Sequence, residues 1–297
     1  MVVFDVVTTV AVWTTEVGSA VTAVAWNPKE AGLLAAGCAD GSVRVVELPE
    51  VLGGKTVEVK AGEEWRKLKT GVEIPSSSSP VSRLMWHSKG RYLASVHRET
   101  QSIADSLFIH SLNNSKTMKP LSNKNASGKI VDVAFHPSKA SLVVTSQRAV
   151  RIVDLKKQAT EKTLTAGNSA KTLIAAAMHP SGDHIVGVTE DRRLIWWDLD
   201  LGAKPWRVLK NFHDKAMKSV VFHERLPLLA TASEDGTVQV FHARVSDDLN
   251  KQPLLVPVKK LHAGDSPCVG LHFHPQLPWL FTATANDSDA LCKLWVA

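Results

Sequence analysis

The 297-residue sequence sets 35 Lys and Arg against 29 Asp and Glu, a formal charge of +6, and is 44% hydrophobic, a balance that supports a globular core. It has no apolar run near the roughly 20 residues of a membrane helix. The apolar opening MVVFDVVTTVAVW carries Asp5 and lacks the basic start and cleavage site of a secretory leader, and three cysteines without a CxxC pair make neither a disulfide framework nor a zinc motif. An intracellular, reducing compartment is expected, and the basic excess fits a nucleic-acid partner as well as it fits an ordinary solvated surface.

In chain order, residues 2–5 (VVFD) read as the end of one strand and residues 7–13 (VTTVAVW) as an outer strand beside it. From residue 21 a pattern then recurs six times: an alternating apolar stretch, a Trp, Phe or Met, and usually a His or Asn with a Pro after it. The marker residues are Trp26, Trp86, Phe135, Met178, Phe222 and Phe273, separated by 60, 49, 43, 44 and 51 residues. The shorter gaps match a four-stranded repeat unit. The longer ones carry insertions, the largest at residues 50–79. After each marker comes a strand, a tight turn and a strand, as in GLLAAGCADGSVRVVEL and LLATASEDGTVQVFH, with Asp40-Gly41 and Asp235-Gly236 as turn dipeptides. Helical periodicity never extends beyond a turn or two. The pattern predicts an all-β propeller as a single domain over residues 1–297: six recognisable blades plus residues 1–14 as the remnant of a first one, seven-bladed in the parent protein. On this reading Met1 is not the natural start, and strands are missing upstream.

The sequence resembles the WD-repeat family. Trp197-Asp198 keeps the signature pair, and Asp154 after Val153 stands in the same place. His213 and Asp235, with a Ser or Thr nearby, fit the family's buried polar network, left incomplete by Phe241 in the place of its Trp. More specifically, residues 230–264 (ATASEDGTVQVFHARVSDDLNKQPLLVPVKKLHAG) and 273–283 (FHPQLPWLFTA) look like the C-terminal propeller of the eukaryotic block of proliferation family. Residues 79–96, 131–155 and 179–209 point the same way. The final repeat, ATANDSDALCKLW, departs from a plain Asp-Gly turn and predicts a longer or bulged hairpin. The resemblance implies a non-catalytic scaffold of 60S subunit assembly and pre-rRNA processing in the nucleolus and nucleoplasm. It would need no cofactor, membrane or small-molecule substrate. Its partners would be pescadillo and a second WD-repeat assembly factor, together the PeBoW complex, with pre-ribosomal RNA as a further contact. The alternatives are a WD-repeat adaptor of another complex, such as a ubiquitin-ligase substrate reader, and, more distantly, an enzyme using the central funnel.

Twelve histidines are a tempting metal lead, but His87, His136, His179, His223 and His274 share one repeat position, which spreads them over separate blades and favours a structural role. The sequence has no GxSxG, HExxH or glycine-rich phosphate loop. Placing the cations on blades puts Lys124, Lys129, Lys171, Lys215 and Lys218 in entering loops and Arg148, Arg192 and Arg193 in middle turns, all on one rim. Such a rim suits a phosphate backbone, although Asp191, Asp214, Glu234 and Asp235 dilute it. A second basic element, Trp65, Arg66, Lys67 and Lys69, lies inside the long insertion. It reads either as a partner anchor or as a Trp folded back over its own blade.

Overall fold

The computed structural model describes residues 1–5, 11–30, 32–48, 57–59, 65–67, 79–98, 100, 102–113, 116–121, 128–167, 172–245 and 253–296, with the backbone alone at 57–59 and 65–67. The chain divides into two compact units, residues 1–135 with 157–159 and residues 136–156 with 160–297. Among the described residues the regular structure is β-strand apart from one 3-10 turn, Ile103–Asp105, and no helix is long and apolar enough to cross a membrane.

In the first unit β1 (Val2–Phe4) pairs antiparallel with β2 (Ala11–Thr15), which overlaps the end of the outer strand expected at 7–13; residues 6–10 lie outside the described residues. Next come β3 (Val21–Trp26), β4 (Leu33–Cys38) and β5 (Val43–Glu47). The long insertion supplies two strands. β6 (Val57–Val59) runs parallel to β2, and β7 (Trp65–Lys67) is the fourth strand of the β3-β4-β5-β7 sheet, with Val46 opposite Trp65. Residues 65–67 of the second basic element are therefore the outer strand of their own sheet, and Lys69 lies outside the described residues. A further sheet holds β8 (Val81–Trp86), β9 (Tyr92–His97), β10 (Leu107–Ser111) and β11 (Lys116–Met118), and β12 (Ile130–Phe135) ends the unit.

The second unit begins with β13 (Ser141–Ser146), β14 (Ala149–Asp154) and β15 (Ala159–Thr165). Two four-stranded meanders follow: β16 (Leu173–Met178), β17 (His184–Thr189), β18 (Leu194–Asp198), β19 (Arg207–Leu209), then β20 (Met217–Phe222), β21 (Leu228–Ser233), β22 (Thr237–Arg244), β23 (Leu254–His262). The last sheet is β24 (Cys268–Phe273), β25 (Trp279–Ala285) and β26 (Ala290–Val296). Its hairpin is longer, as its sequence suggested. Trp295 stands opposite Leu280, fifteen residues on, where Phe241 stands opposite Leu229, twelve residues on, and the β25–β26 register has no bulge.

The repeat has a physical basis visible at three positions. All six marker residues end the first strand of their sheet. The second strand is buried on both faces in β4, β13 and β17, which is why LLAAGC, SLVVTS and HIVGVT are continuous small or apolar runs. A bulge recurs near the start of the first strand, at Val21/Ala23, Val81/Arg83, Leu173/Ala175, Met217/Ser219 and Cys268/Gly270, where it strengthens the local twist.

Neighbouring sheets within a unit bury apolar faces against each other. Leu33, Ala35 and Val45 meet Val81, Leu84 and Trp86 in the first unit, and Val186, Leu194 and Trp196 meet Val220, Leu229 and Phe241 in the second. Burial of each Val, Leu or Phe among them stabilises the fold by about 1.5–3 kcal/mol.

Candidate macromolecular interface

The residue after each marker holds the turn that follows. Asn27 Oδ1 accepts the N–H groups of Lys29 (2.8 Å) and Glu30 (3.1 Å). The ring Nδ1 takes the same place in His87, His136, His179, His223 and His274, each accepting the N–H two residues on at 3.0–3.2 Å. The far end of the side chain reaches the neighbouring sheet in two cases. Asn27 Nδ2 donates to Gly90 O at 3.0 Å, and His223 Nε2 lies 3.0 Å from Leu277 O. These nitrogens are engaged by backbone, and among the described residues no group of three or more His, Cys, Asp and Glu side chains is placed to hold a metal ion.

Two buried polar networks lie between strands. In the second unit His213 Nδ1 meets Thr237 Oγ1 at 3.0 Å and Nε2 meets Thr231 Oγ1 at 2.8 Å, so both ring nitrogens are engaged although Phe241 has no donor to offer. Burial works against the Asp235 carboxylate. The Thr237 hydroxyl, the N–H groups of Asp214 and Thr237, and His213 outweigh it and hold the group at about 2. Phe241 is buried and meets Phe212 edge-on at 4.9 Å. The first unit carries a network that no motif announced: His97, Ser95, His110 and Thr117 in series, all contacts at 2.9–3.0 Å.

The Trp-Asp pair has divided duties. Trp197 Nε1 donates to Thr165 O at 3.1 Å, while Asp198 Oδ1 accepts from Asp200 N at 2.9 Å and so closes the turn. Asp154 does the same with Lys156 N at 2.6 Å.

The basic rim is less basic than its sequence. Arg193 Nε lies 2.6 Å from Asp191, Lys218 Nζ lies 2.5 Å from Glu234, and Lys260 Nζ lies 3.6 Å from Asp214. Arg192, at φ 62° in its turn, donates to the Asp214 carbonyl at 3.3 Å, which brings it beside Lys215. Lys129, Arg148, Arg192 and Lys215 are exposed. Lys124, Lys171, Lys69 and the side chains of Trp65, Arg66 and Lys67 lie outside the described residues. Three of these cations thus stand against an acid, Arg193 within its own turn and Lys218 and Lys260 across segments.

The WD domain, G-beta repeat signature matches residues 8–47 and 204–242. The chain is 36% identical to the human ribosome biogenesis protein BOP1 over 97% of its own length and 41% of that protein. It is 39% identical to the BOP1 homolog of Chlamydomonas reinhardtii over 91% of its length and 36% of that protein. The chain belongs to the BOP1/ERB1 family. ERB1 of Eremothecium gossypii is 42% identical over 72% of this chain and 25% of its own length, so the chain spans about a quarter to two fifths of the curated BOP1/ERB1 relatives it matches. Its sheets are the blades of an all-β WD-repeat β-propeller, and the six marker strands open six of them.

Proposed function

We infer that this chain is the propeller region of a ribosome biogenesis factor and works as a non-catalytic scaffold in assembly of the large ribosomal subunit and pre-rRNA processing. The observation that carries the reading is alignment of nearly the whole chain with a protein named for ribosome biogenesis. The build of the blades supports a scaffold: the repeat histidines are committed to turns, and turns between strands are the surface elements on which docking residues concentrate. A second WD-repeat assembly factor and pescadillo are the protein partners this reading calls for, with pre-ribosomal RNA as a third contact. The workplace would be the nucleolus and nucleoplasm.

The test is affinity purification of the tagged protein from its own cells, followed by identification of the proteins and RNA that accompany it. Large-subunit precursors and the two partners support the reading. Ubiquitin-ligase subunits in their place would make the chain an adaptor of another complex.

A further inference from the structure

An antiparallel meander sends its first and third turns to the same end of the sheet. In the first unit that end carries residues 27–30 after β3, 87–91 after β8 and 112–113 after β10, opposite the end that holds Asp40-Gly41. Here lie Lys29, Lys89, Arg91 and Lys116, all exposed. None of the four takes part in an ion pair among the described residues, and the acid within these turns is Glu30 alone.

The turns are interlocked. Asn27 holds the Lys29 N–H with its oxygen and the Gly90 carbonyl with its nitrogen. A Cβ added to Gly90 would stand 3.1 Å from the Lys29 Cβ, so Lys29 abuts the turn whose glycine is flanked by Lys89 and Arg91. Tyr92, the only tyrosine of the sequence, opens β9 beside them and is 41% exposed. It stands opposite Ser111, which stands opposite Lys116, two strand spacings or about 10 Å away. His87 meets Tyr92 edge-on at 6.2 Å and Phe135 at 5.1 Å, which backs the ring from one side.

We propose that this end of the first unit is a binding surface for single-stranded RNA, with Tyr92 as a stacking platform and Lys29, Lys89, Arg91 and Lys116 as phosphate contacts. The proposal rests on the RNA contact in the proposed function and assigns it to this end of the first unit in place of the rim cations. Cations set apart around one exposed aromatic face suit a strand whose bases stack while its phosphates pass from charge to charge. An acidic peptide would have use for the charges but not for the ring.

The experiment titrates a labelled oligouridylate with the 297-residue chain at several salt concentrations. Removal of two phosphate contacts by Lys89→Glu with Arg91→Glu should flatten the log K against log salt slope by about 1.4. Tyr92→Ala should weaken binding on the order of tenfold or more with the slope unchanged. Arg148→Glu with Lys215→Glu, on the rim, should leave both quantities as they were. Because Lys89→Gln keeps the turn and removes a single charge, it serves if the double reversal disturbs folding, with half the change in slope. Wild-type binding that none of the Tyr92, Lys89 or Arg91 changes affects would overturn this surface and leave RNA binding standing. No wild-type binding would overturn both. Poly-glutamate competing better than RNA would overturn the proposal in favour of an acidic protein partner.

Discussion

His97 donates its Nδ1–H to the carbonyl oxygen of Ser79 at 3.1 Å, and that one bond fixes every proton behind it. A carbonyl only accepts, so His97 Nε2 is the acceptor of a neutral ring and takes the Ser95 hydroxyl proton at 3.0 Å. Ser95 Oγ is then left to accept from His110 Nε2 at 2.9 Å, and His110 Nδ1 accepts from Thr117 Oγ1 at 2.9 Å. The chain is complete with both imidazoles neutral. A proton added to either ring turns its accepting nitrogen into a donor, and the hydroxyl that faced it loses the acceptor for its own proton.

Acid should therefore loosen the first unit. Burial, then the neighbouring His97, push His110 down to about 4 from an ordinary value of 6.5. The unfolded chain binds this proton first, so stability is full above about pH 6.5, falls between 6.5 and 4, and levels off below. His110 alone accounts for a loss of about 3 kcal/mol over that window. Urea titrations at pH 7, 5.5 and 4.5 should show a smaller pH dependence for His110→Gln than for the wild type. An equal dependence would place the acid-sensitive groups elsewhere.

Ser95→Ala removes the central link and leaves His97 Nε2 and one donor of His110 without partners. At about 1–3 kcal/mol for each buried orphan, the expected cost at pH 7 is about 3 kcal/mol. Ser82→Ala, whose hydroxyl donates to Val96 O from a half-buried position, should cost less than about 1 kcal/mol.

Gly236 and Gly167 both have left-handed φ, +73° and +85°. A Cβ at Gly236 would fall 1.9 Å from the Gly264 carbonyl oxygen, whereas nothing lies within 4 Å at Gly167. Gly167→Ala should cost about 1 kcal/mol for conformation alone. Gly236→Ala should cost more than about 3 kcal/mol because backbone has to move. Equal melting temperatures for the two variants would contradict this.

Trp26 and Trp86 occupy the same repeat position in different surroundings. Trp86 is 6% exposed and Leu84, two residues earlier, 8%; Trp26 is 45% exposed and Val24 57%. Trp86→Ala should cost about 3–5 kcal/mol, Trp26→Ala about 1 kcal/mol or less. The face of β3 around Val24 is an uncovered copy of the surface that β8 buries. Urea titrations of the two variants should show that difference in cost, and equal costs would contradict it.

Much of the fold was legible because it is periodic. The marker residues fall at one structural position, and Asp-Gly pairs sit at the middle turns, since bulge, strand length and turn repeat with the sequence. The histidine after each marker was visible as a position, but its task was not. Nδ1 replaces an Asn oxygen only once the turn is folded. The His97–His110 network lies between strands with no fixed spacing to signal it. The rim charges were placed on their loops without their partners, because Asp214 and Lys260 are distant in sequence and meet where Asp235 holds the Asp214 N–H just before β22, the strand that pairs with β23.

The most direct test of the scaffold reading is sedimentation of the tagged protein from its own cells through a sucrose gradient, with and without high salt. The expected result is comigration with large-subunit precursors and their unprocessed rRNA, and accumulation of that rRNA when the protein is depleted. Migration as a free protein with unchanged rRNA processing on depletion would contradict it.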